Sequence, residues 1–140
     1  MPKHDPESRK RLLIAAAALV DGQGRVLLQK RPEGKPLAGL WEFPGGKVEA
    51  AESPIDGLIR ELREELGLIV EPGSIEPFAF ASVDGESQDL LLLLYLVRAW
   101  SGDARPLVAD ELRWCSLGEM EKLPMPPADV PLVKRLSEIL

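Results

Sequence analysis

Three closely spaced glutamates could hold a metal ion. Glu61, Glu64 and Glu65 follow an i, i+3, i+4 spacing, which places them on one face of a helix. Like charges at this spacing repel each other in water, whereas a divalent cation would turn the repulsion into attraction. Mg²⁺ prefers oxygen ligands and keeps several of its waters, so two or three carboxylates together with substrate phosphates form a suitable set. For the helix taken alone, a solvated glutamate-rich face is the alternative interpretation.

The helix that must position these glutamates is predicted from about residue 54 to 66. Ser53 is a natural N-cap, Asp56 completes a capping box, and Gly67 provides the left-handed residue that ends the helix. One face of this helix is apolar and is expected to pack on a sheet; it carries Ile55, Leu58, Ile59, Leu62 and Leu66. The glutamates therefore point away from the predicted core.

Strands are predicted on both sides of this helix, at about 12–20, 26–29, 75–83, 89–100 and 113–115. The Gly-containing loop at 21–24 predicts a hairpin between the first two strands. The run at 90–97 is apolar at every position, which is typical of a strand buried on both faces. We therefore expect at least one sheet that lies between two other layers.

Two further helices are predicted near the C terminus. Ser116 and Glu119 form a second capping box that begins a one-turn helix, and a last helix is expected from residue 129 or 130 to 140. Mixed strands with two or three helices predict an α/β (α+β) fold, a helix–sheet–helix sandwich with a mixed β-sheet. We expect a single domain at residues 11–140, preceded by a flexible polar tail at residues 1–10.

The composition disfavours several kinds of site. The 140 residues include one histidine, His4, and one cysteine, Cys115, too few for a His/Cys zinc site, an iron–sulfur cluster or an internal disulfide. The net charge of −6 disfavours binding to a nucleic-acid polymer. The apolar stretches are shorter than the about 20 residues that span a bilayer. Because a single cysteine suits a reducing compartment, we expect a cytoplasmic protein without a membrane partner.

The glutamates belong to a longer motif between Gly46 and Leu68. This segment fits the Nudix box, G-x5-E-x7-R-E-U-x-E-E-x-G-U with U aliphatic, at every specified position. The sequence therefore resembles the Nudix hydrolases, and within them the MutT-type nucleoside triphosphate pyrophosphohydrolases. The segment Leu40–Gly46, Trp114 and the Pro-Pro-Ala-Asp sequence that ends at Asp129 are also similar to MutT-type proteins. The resemblance extends over residues 12–140 and implies a Nudix fold.

The resemblance implies a divalent metal site for Mg²⁺, with Mn²⁺ as an alternative. The implied metal ligands are Glu61, Glu64, Glu65 and the carbonyl oxygen of Gly45. The implied catalytic residues are Glu52, Arg60, Glu61 and Glu64. Arg60 would brace the acidic cluster, because its guanidinium offers a fork of donors that stays protonated. A glutamate would assist a water that attacks a phosphorus of the triphosphate, which releases pyrophosphate and a nucleoside monophosphate.

Substrate contacts are expected from Arg31, Phe43, Lys47 and Asp129; for Arg31, a surface loop arginine is the alternative. Lys47 would contact phosphate, although a solvated lysine is the alternative at a turn. Asp129 would read the base, or it would cap the last helix. Phe43 is one of several aromatic residues that could stack on a base, the others being Trp41, Phe78, Phe80 and Trp114. MutT-type enzymes also use a glutamate in a distant loop before the strand that contains the tryptophan. Counting back from Trp114 places Val108 at that position, and Asp110 or Glu111 could take over the role of the glutamate.

These features predict an enzyme that hydrolyses a small-molecule nucleoside triphosphate, in particular an oxidised purine nucleotide such as 8-oxo-dGTP. Such an activity would serve nucleotide-pool sanitation and DNA repair. The alternative substrate is a cytidine or modified-cytidine triphosphate, because a cytidine-specific branch of the family carries an aspartate at the position of Asp129. A noncatalytic Nudix-fold module that binds a nucleotide or a protein is the rival from another functional class. The oligomeric state is not indicated by the sequence.

Overall fold

The computed structural model describes residues 9–140, so residues 1–8 of the predicted tail lie outside the described part. The strands are β1 (Lys10–Leu19), β2 (Val26–Lys30), β3 (Trp41–Glu42), β4 (Gly45–Lys47), β5 (Ile75–Asp84), β6 (Gln88–Val97) and β7 (Glu111–Cys115). The helices are α1 (Pro54–Leu66), α2 (Leu117–Met120) and α3 (Val130–Leu136), and a 3₁₀ turn spans Pro72–Ser74. The predicted strands and helices are all present, and β3 and β4 are two short additions.

The strands form two sheets. The larger sheet has the order β4-β1-β6-β5, and the smaller one has the order β3-β2-β7. The larger sheet is mixed, because β1 runs parallel to β6 and antiparallel to β4. The predicted hairpin between β1 and β2 is wrong: only the pair Val20 and Val26 bridges them, and the turn passes the chain from one sheet to the other. Both strands find longer partners elsewhere, since β1 pairs along its whole length with β6.

Helices cover the larger sheet on both faces, which confirms the predicted sandwich. Alternate residues of β6 face two separate cores. Leu92, Leu94 and Leu96 pack with α2 and α3, whereas Tyr95 and Val97 pack with α1. Among the described residues, no helix is long and apolar enough to cross a membrane.

Helix α1 has the predicted bounds, and its ends explain why. The Ser53 hydroxyl accepts a hydrogen bond from the Asp56 amide, which is one half of the predicted capping box. Gly67 adopts a left-handed conformation with φ 72°, and its amide donates to the Arg63 carbonyl. The predicted apolar face packs against β1 and β2, with the side chains of Leu58, Leu62 and Leu66 fully buried. The opposite face is left for the glutamates.

Several predicted element ends differ from the structure; for example, β7 begins at Glu111 instead of residue 113. Strand β1 begins at Lys10, inside the predicted tail. Strand β6 ends at Val97 instead of Trp100, because its neighbour β1 ends opposite it at Leu19. Helix α3 ends at Leu136 instead of residue 140, and the chain continues in a turn in which the amide of Ile139 donates to the carbonyl of Leu136.

Candidate active site

A cavity of about 470 Å³ brings together most of the residues predicted from the sequence. The predicted residues that line it are Arg31, Phe43, Gly45, Lys47, Glu61, Glu65 and Asp129. Glu52, Arg60 and Glu64 do not line it; they form an ion-pair network on the neighbouring surface of α1. The cavity therefore has an acidic end at α1 and β4 and a second end at Phe43 and Asp129.

Two glycines of β4 allow the sheet to approach the acidic face of α1. Strand β4 pairs with β1, with Gly46 opposite Ala15 and Gly45 opposite Ala16. A Cβ atom on Gly46 would lie 2.5 Å from the carboxyl carbon of Glu61, so only glycine leaves room for that carboxylate. A Cβ atom on Gly45, whose φ is 153°, would lie 2.2 Å from the carbonyl oxygen of Ala15. Gly45 thus lets β4 lie close to β1, and Gly46 leaves room for the Glu61 carboxylate against the sheet.

Arg60 lies at the centre of a network of carboxylates. Its guanidinium donates to both oxygens of Glu52, with Nε to Oε2 at 3.0 Å and Nη2 to Oε1 at 2.6 Å. Its Nη1 donates to Glu61 at 2.8 Å and to the more exposed Glu64 at 3.2 Å. These hydrogen bonds lower the pKa of Glu52 to about 2 and raise the pKa of Arg60. Glu52 and Arg60 therefore remain charged at neutral pH, and together they orient Glu61.

Glu65 is a partly buried carboxyl group on the wall of the cavity. Its burial raises its pKa to about 8, although a hydrogen bond from Gln29 opposes the shift. The neighbouring Glu61, which is in hydrogen-bonding contact with Glu65, and Glu42 raise the pKa further. Two touching carboxyl groups without a cation between them favour retention of a proton on one of them.

The acidic end carries ligands of the type that Mg²⁺ prefers, although they are not arranged as a finished cage. Within residues 9–140, no three His, Cys, Asp or Glu side chains converge closely enough to hold a metal ion. Arg60 engages Glu61 and Glu64, and Gln29 engages Glu65. The donor set nevertheless fits a hard cation, because it consists of adjacent carboxylate oxygens on the wall of the cavity that Gly45 also lines.

At the other end of the cavity, Asp129 is only 5% exposed. Its Oδ2 accepts a hydrogen bond from the amide of Phe43 at 3.1 Å, and its side chain makes no capping hydrogen bond to α3. The capping alternative for this side chain is therefore wrong, because tertiary contact with Phe43 takes the carboxylate away from the helix. Burial raises the pKa of Asp129 to about 7, so this group can carry or lack a proton near neutral pH.

Arg31 reaches the cavity as part of an ion pair. Its Nη1 donates to Glu42 at 2.8 Å, and its Nε donates to the carbonyl of Pro36 at 2.7 Å. Lys47 lines the cavity and is exposed. Glu42 also lines the cavity, and the sequence analysis did not predict it. The sequence feature that could have identified Glu42 is its position between two aromatic residues, Trp41 and Phe43, in an otherwise apolar segment.

Phe43 is the aromatic residue, of the five suggested for base stacking, that lines the cavity. Trp41 is buried below the guanidinium of Arg113, and Trp114 stacks on Trp100 with ring centroids 5.9 Å apart. Phe80 is 67% exposed on β5, where it lines a different surface depression together with Phe78. The prediction that these four residues stack on a base in this cavity is therefore wrong.

The replacements considered for the distant loop glutamate lie near β7. Val108 is exposed, the amide of Asp110 donates to the carbonyl of Lys30, and Glu111 is the first residue of β7. None of these three described residues lines the cavity.

The sequence matches the NUDIX domain over residues 10–136, and the chain belongs to the Nudix family of hydrolases. It is 37% identical over 124 residues to the CTP pyrophosphohydrolase of Escherichia coli K12, covering 89% of this chain and 90% of that protein. It is 33% identical over 129 residues to the 8-oxo-dGTP diphosphatase of Haemophilus influenzae, covering 91% and 93%. The solution structure of the E. coli ORF135 protein superposes with a TM-score of 0.84 at 34% identity, covering 97% and 95% of the two chains.

Proposed function

We propose that this protein hydrolyses a nucleoside triphosphate to the monophosphate and pyrophosphate with the help of Mg²⁺ or Mn²⁺. The observation that carries the proposal is the cavity that joins Glu61 and Glu65 of the Nudix box to a second end at Phe43 and Asp129. Such a cavity can hold the triphosphate at the acidic end and the base at the other. The net charge of −6 favours the recruitment of a metal cation to neutralise the bound phosphates.

Glu61, Glu64, Glu65 and the carbonyl of Gly45 would hold the metal, which polarises the phosphoryl oxygens and makes a bound water more acidic when it is present. Arg60 and Glu52 keep Glu61 oriented, and Lys47 contacts the phosphates. A carboxylate of the cluster accepts the proton of the attacking water. A new bond forms between the water oxygen and a phosphorus, the bridging P–O bond breaks, and pyrophosphate leaves.

For the base, we infer an oxidised purine nucleotide such as 8-oxo-dGTP. An ionised Asp129 presents acceptors only, which match the N1–H and N2–H₂ donors of a guanine-type base. A cytosine base is the second candidate, because its amino group can also donate to Asp129 and because the CTP pyrophosphohydrolase of E. coli is a relative. An enzyme of this kind acts on free nucleotides in the cytoplasm and serves nucleotide-pool sanitation and DNA repair.

Asp129→Asn tests whether this side chain reads the base. The oxygen of the asparagine can keep the hydrogen bond from the Phe43 amide, so that its NH₂ group replaces an acceptor in the cavity by a donor. We expect kcat/KM for 8-oxo-dGTP to fall about ten- to a hundredfold relative to CTP and dCTP, because an unmatched polar group stays buried. The measurement is kcat/KM for 8-oxo-dGTP, dGTP, CTP and dCTP in both proteins. Unchanged ratios of kcat/KM among the four nucleotides would contradict base reading by Asp129.

Removal of divalent metal with a chelator is expected to stop hydrolysis without unfolding the protein. Helix α1 is capped at both ends and packs through fully buried leucines, so its folding does not depend on a metal. Activity and circular dichroism are measured on the same samples before and after chelation, and activity is measured again after Mg²⁺ is added back. Turnover that persists in the chelator would contradict metal-dependent catalysis.

The noncatalytic alternative, a module that binds nucleotide or protein, does not explain the cluster of acidic residues. Glu61 and Glu65 are in contact on a cavity wall, and their repulsion disfavours the folded state unless a proton or a cation lies between them. Nucleotide binding without any turnover in the presence of Mg²⁺ or Mn²⁺ would support that module and exclude the enzyme.

A further inference from the structure

A buried amide, that of Gln29, connects the acidic end of the cavity with the ion pair between Glu42 and Arg31. Gln29 is only 4% exposed, and its Nε2 donates to Glu65 Oε1 at 3.1 Å and to Glu42 Oε2 at 3.2 Å. Glu42 in turn accepts from Arg31 through its other oxygen at 2.8 Å. The amide therefore lies between a residue of the acidic end and the ion pair that lines the cavity beside it.

The fold brings these three side chains together from three elements. Gln29 on β2 is the direct cross-strand partner of Glu42 on β3, so both side chains point to the same face of the smaller sheet. Leu27, two residues earlier on β2, packs with the buried leucines of α1, which shows that this face is turned towards the helix. Glu65 reaches the same place from the last turn of α1. Gln29 is thus the link between the smaller sheet and the acidic face of the helix.

The orientation of the Gln29 amide follows from its partners. Both N–H bonds are directed at carboxylate oxygens, whereas Oε1 is buried without a hydrogen-bond partner in the described chain. The reverse orientation would place the oxygen against two carboxylates. An apolar side chain at this position would leave the Glu65 and Glu42 oxygens without these donors, so the glutamine holds both carboxylates although its own oxygen stays unpaired.

We propose that Gln29 is a positioning residue, which holds Glu65 towards the metal site with one N–H and keeps Glu42 beside Arg31 with the other. The proposal rests on the proposed function, in which Glu65 is a metal ligand. Partners that orient metal ligands typically change metal affinity by about 10- to 100-fold when they are removed. Loss of the Gln29 amide should therefore weaken metal binding while the ligands themselves remain.

The test is Mn²⁺ binding to the folded protein without nucleotide, measured by electron paramagnetic resonance and calorimetry. The variant is Gln29→Met, which keeps the length of the side chain and removes both N–H donors. If Gln29→Met does not fold, Gln29→Leu takes its place. The matched control is Gln23→Met, at an exposed position of the loop between β1 and β2. We expect about tenfold weaker Mn²⁺ binding in Gln29→Met and no change in Gln23→Met. The Mg²⁺ concentration for half-maximal hydrolysis should rise to the same extent, with a smaller change in kcat at saturating Mg²⁺.

Three outcomes separate this inference from the function on which it rests. Wild-type affinity for Mn²⁺ in Gln29→Met, or tighter binding, would overturn the role of Gln29 and leave the proposed function intact. A lower melting temperature of Gln29→Met with unchanged Mn²⁺ affinity would also overturn it, because the role would then be structural. Absence of Mn²⁺ binding in the wild-type protein, or equal binding in Glu61→Gln, would overturn the proposed metal site and the role of Gln29 with it.

Discussion

Glu61→Gln is expected to lower kcat for the preferred nucleotide by at least about a hundredfold, without unfolding the protein. The substitution keeps the shape of the side chain but removes the charge that would attract a cation. Glu61 lies on the wall of the cavity, on the face of α1 opposite the buried leucines, so the core packing is untouched. Glu65→Gln should act in the same direction. The measurement is steady-state hydrolysis at saturating Mg²⁺, together with thermal unfolding of each variant.

Glu76→Gln provides the matched control for these two variants. Glu76 is exposed on β5, and it does not line the cavity, so removing its charge should leave turnover unchanged. If folded Glu61→Gln or Glu65→Gln retained a rate near that of the wild type, the substituted carboxylate would have no part in catalysis.

Gly46→Ala is expected to lower kcat by at least about tenfold with little change in the melting temperature. The new methyl group would lie 2.5 Å from the carboxyl carbon of Glu61, which must move away. Movement of the flexible end of a side chain disturbs the fold little. A displacement of about 1 Å in an active site can, however, reduce the rate by up to about a hundredfold. The backbone at Gly46 does not have a positive φ, so alanine introduces no strain of its own there.

Gly22→Ala separates this effect from a general effect of replacing glycine. A Cβ atom on Gly22 would meet nothing within 4 Å, and its backbone also lacks a positive φ. Both variants are compared by kcat and by thermal unfolding. Equal activity of Gly46→Ala and the wild type would show that the placement of Glu61 against β4 does not matter for catalysis.

Local sequence signals predicted α1 well because both of its ends are specified by side chains close in the chain. The Ser53 cap and the left-handed Gly67 need no information from the rest of the fold. The predicted hairpin at residues 21–24 was wrong for the opposite reason. Whether β1 pairs with β2 or β6 depends on partners distant in sequence, and the longer ladder with β6 prevails.

The acidic end of the site was predictable because its residues share one helix and one motif. Glu42 and Gln29 were not, since their roles depend on the register of β2 and β3 and on the packing of that sheet against α1. The two roles of Asp129 could not be separated either, because base reading and helix capping allow the same residue type before a helix. The hydrogen bond from Phe43, 86 residues away in the sequence, decides against capping.

The most direct test of the central claim is product analysis during hydrolysis of 8-oxo-dGTP and of CTP with Mg²⁺, with pyrophosphate and orthophosphate measured separately. The proposed function predicts one pyrophosphate for each monophosphate formed, and no orthophosphate when pyrophosphatase is absent. It also predicts that these products disappear in Glu61→Gln. Release of orthophosphate with a nucleoside diphosphate, or no product from any nucleoside triphosphate, would contradict it.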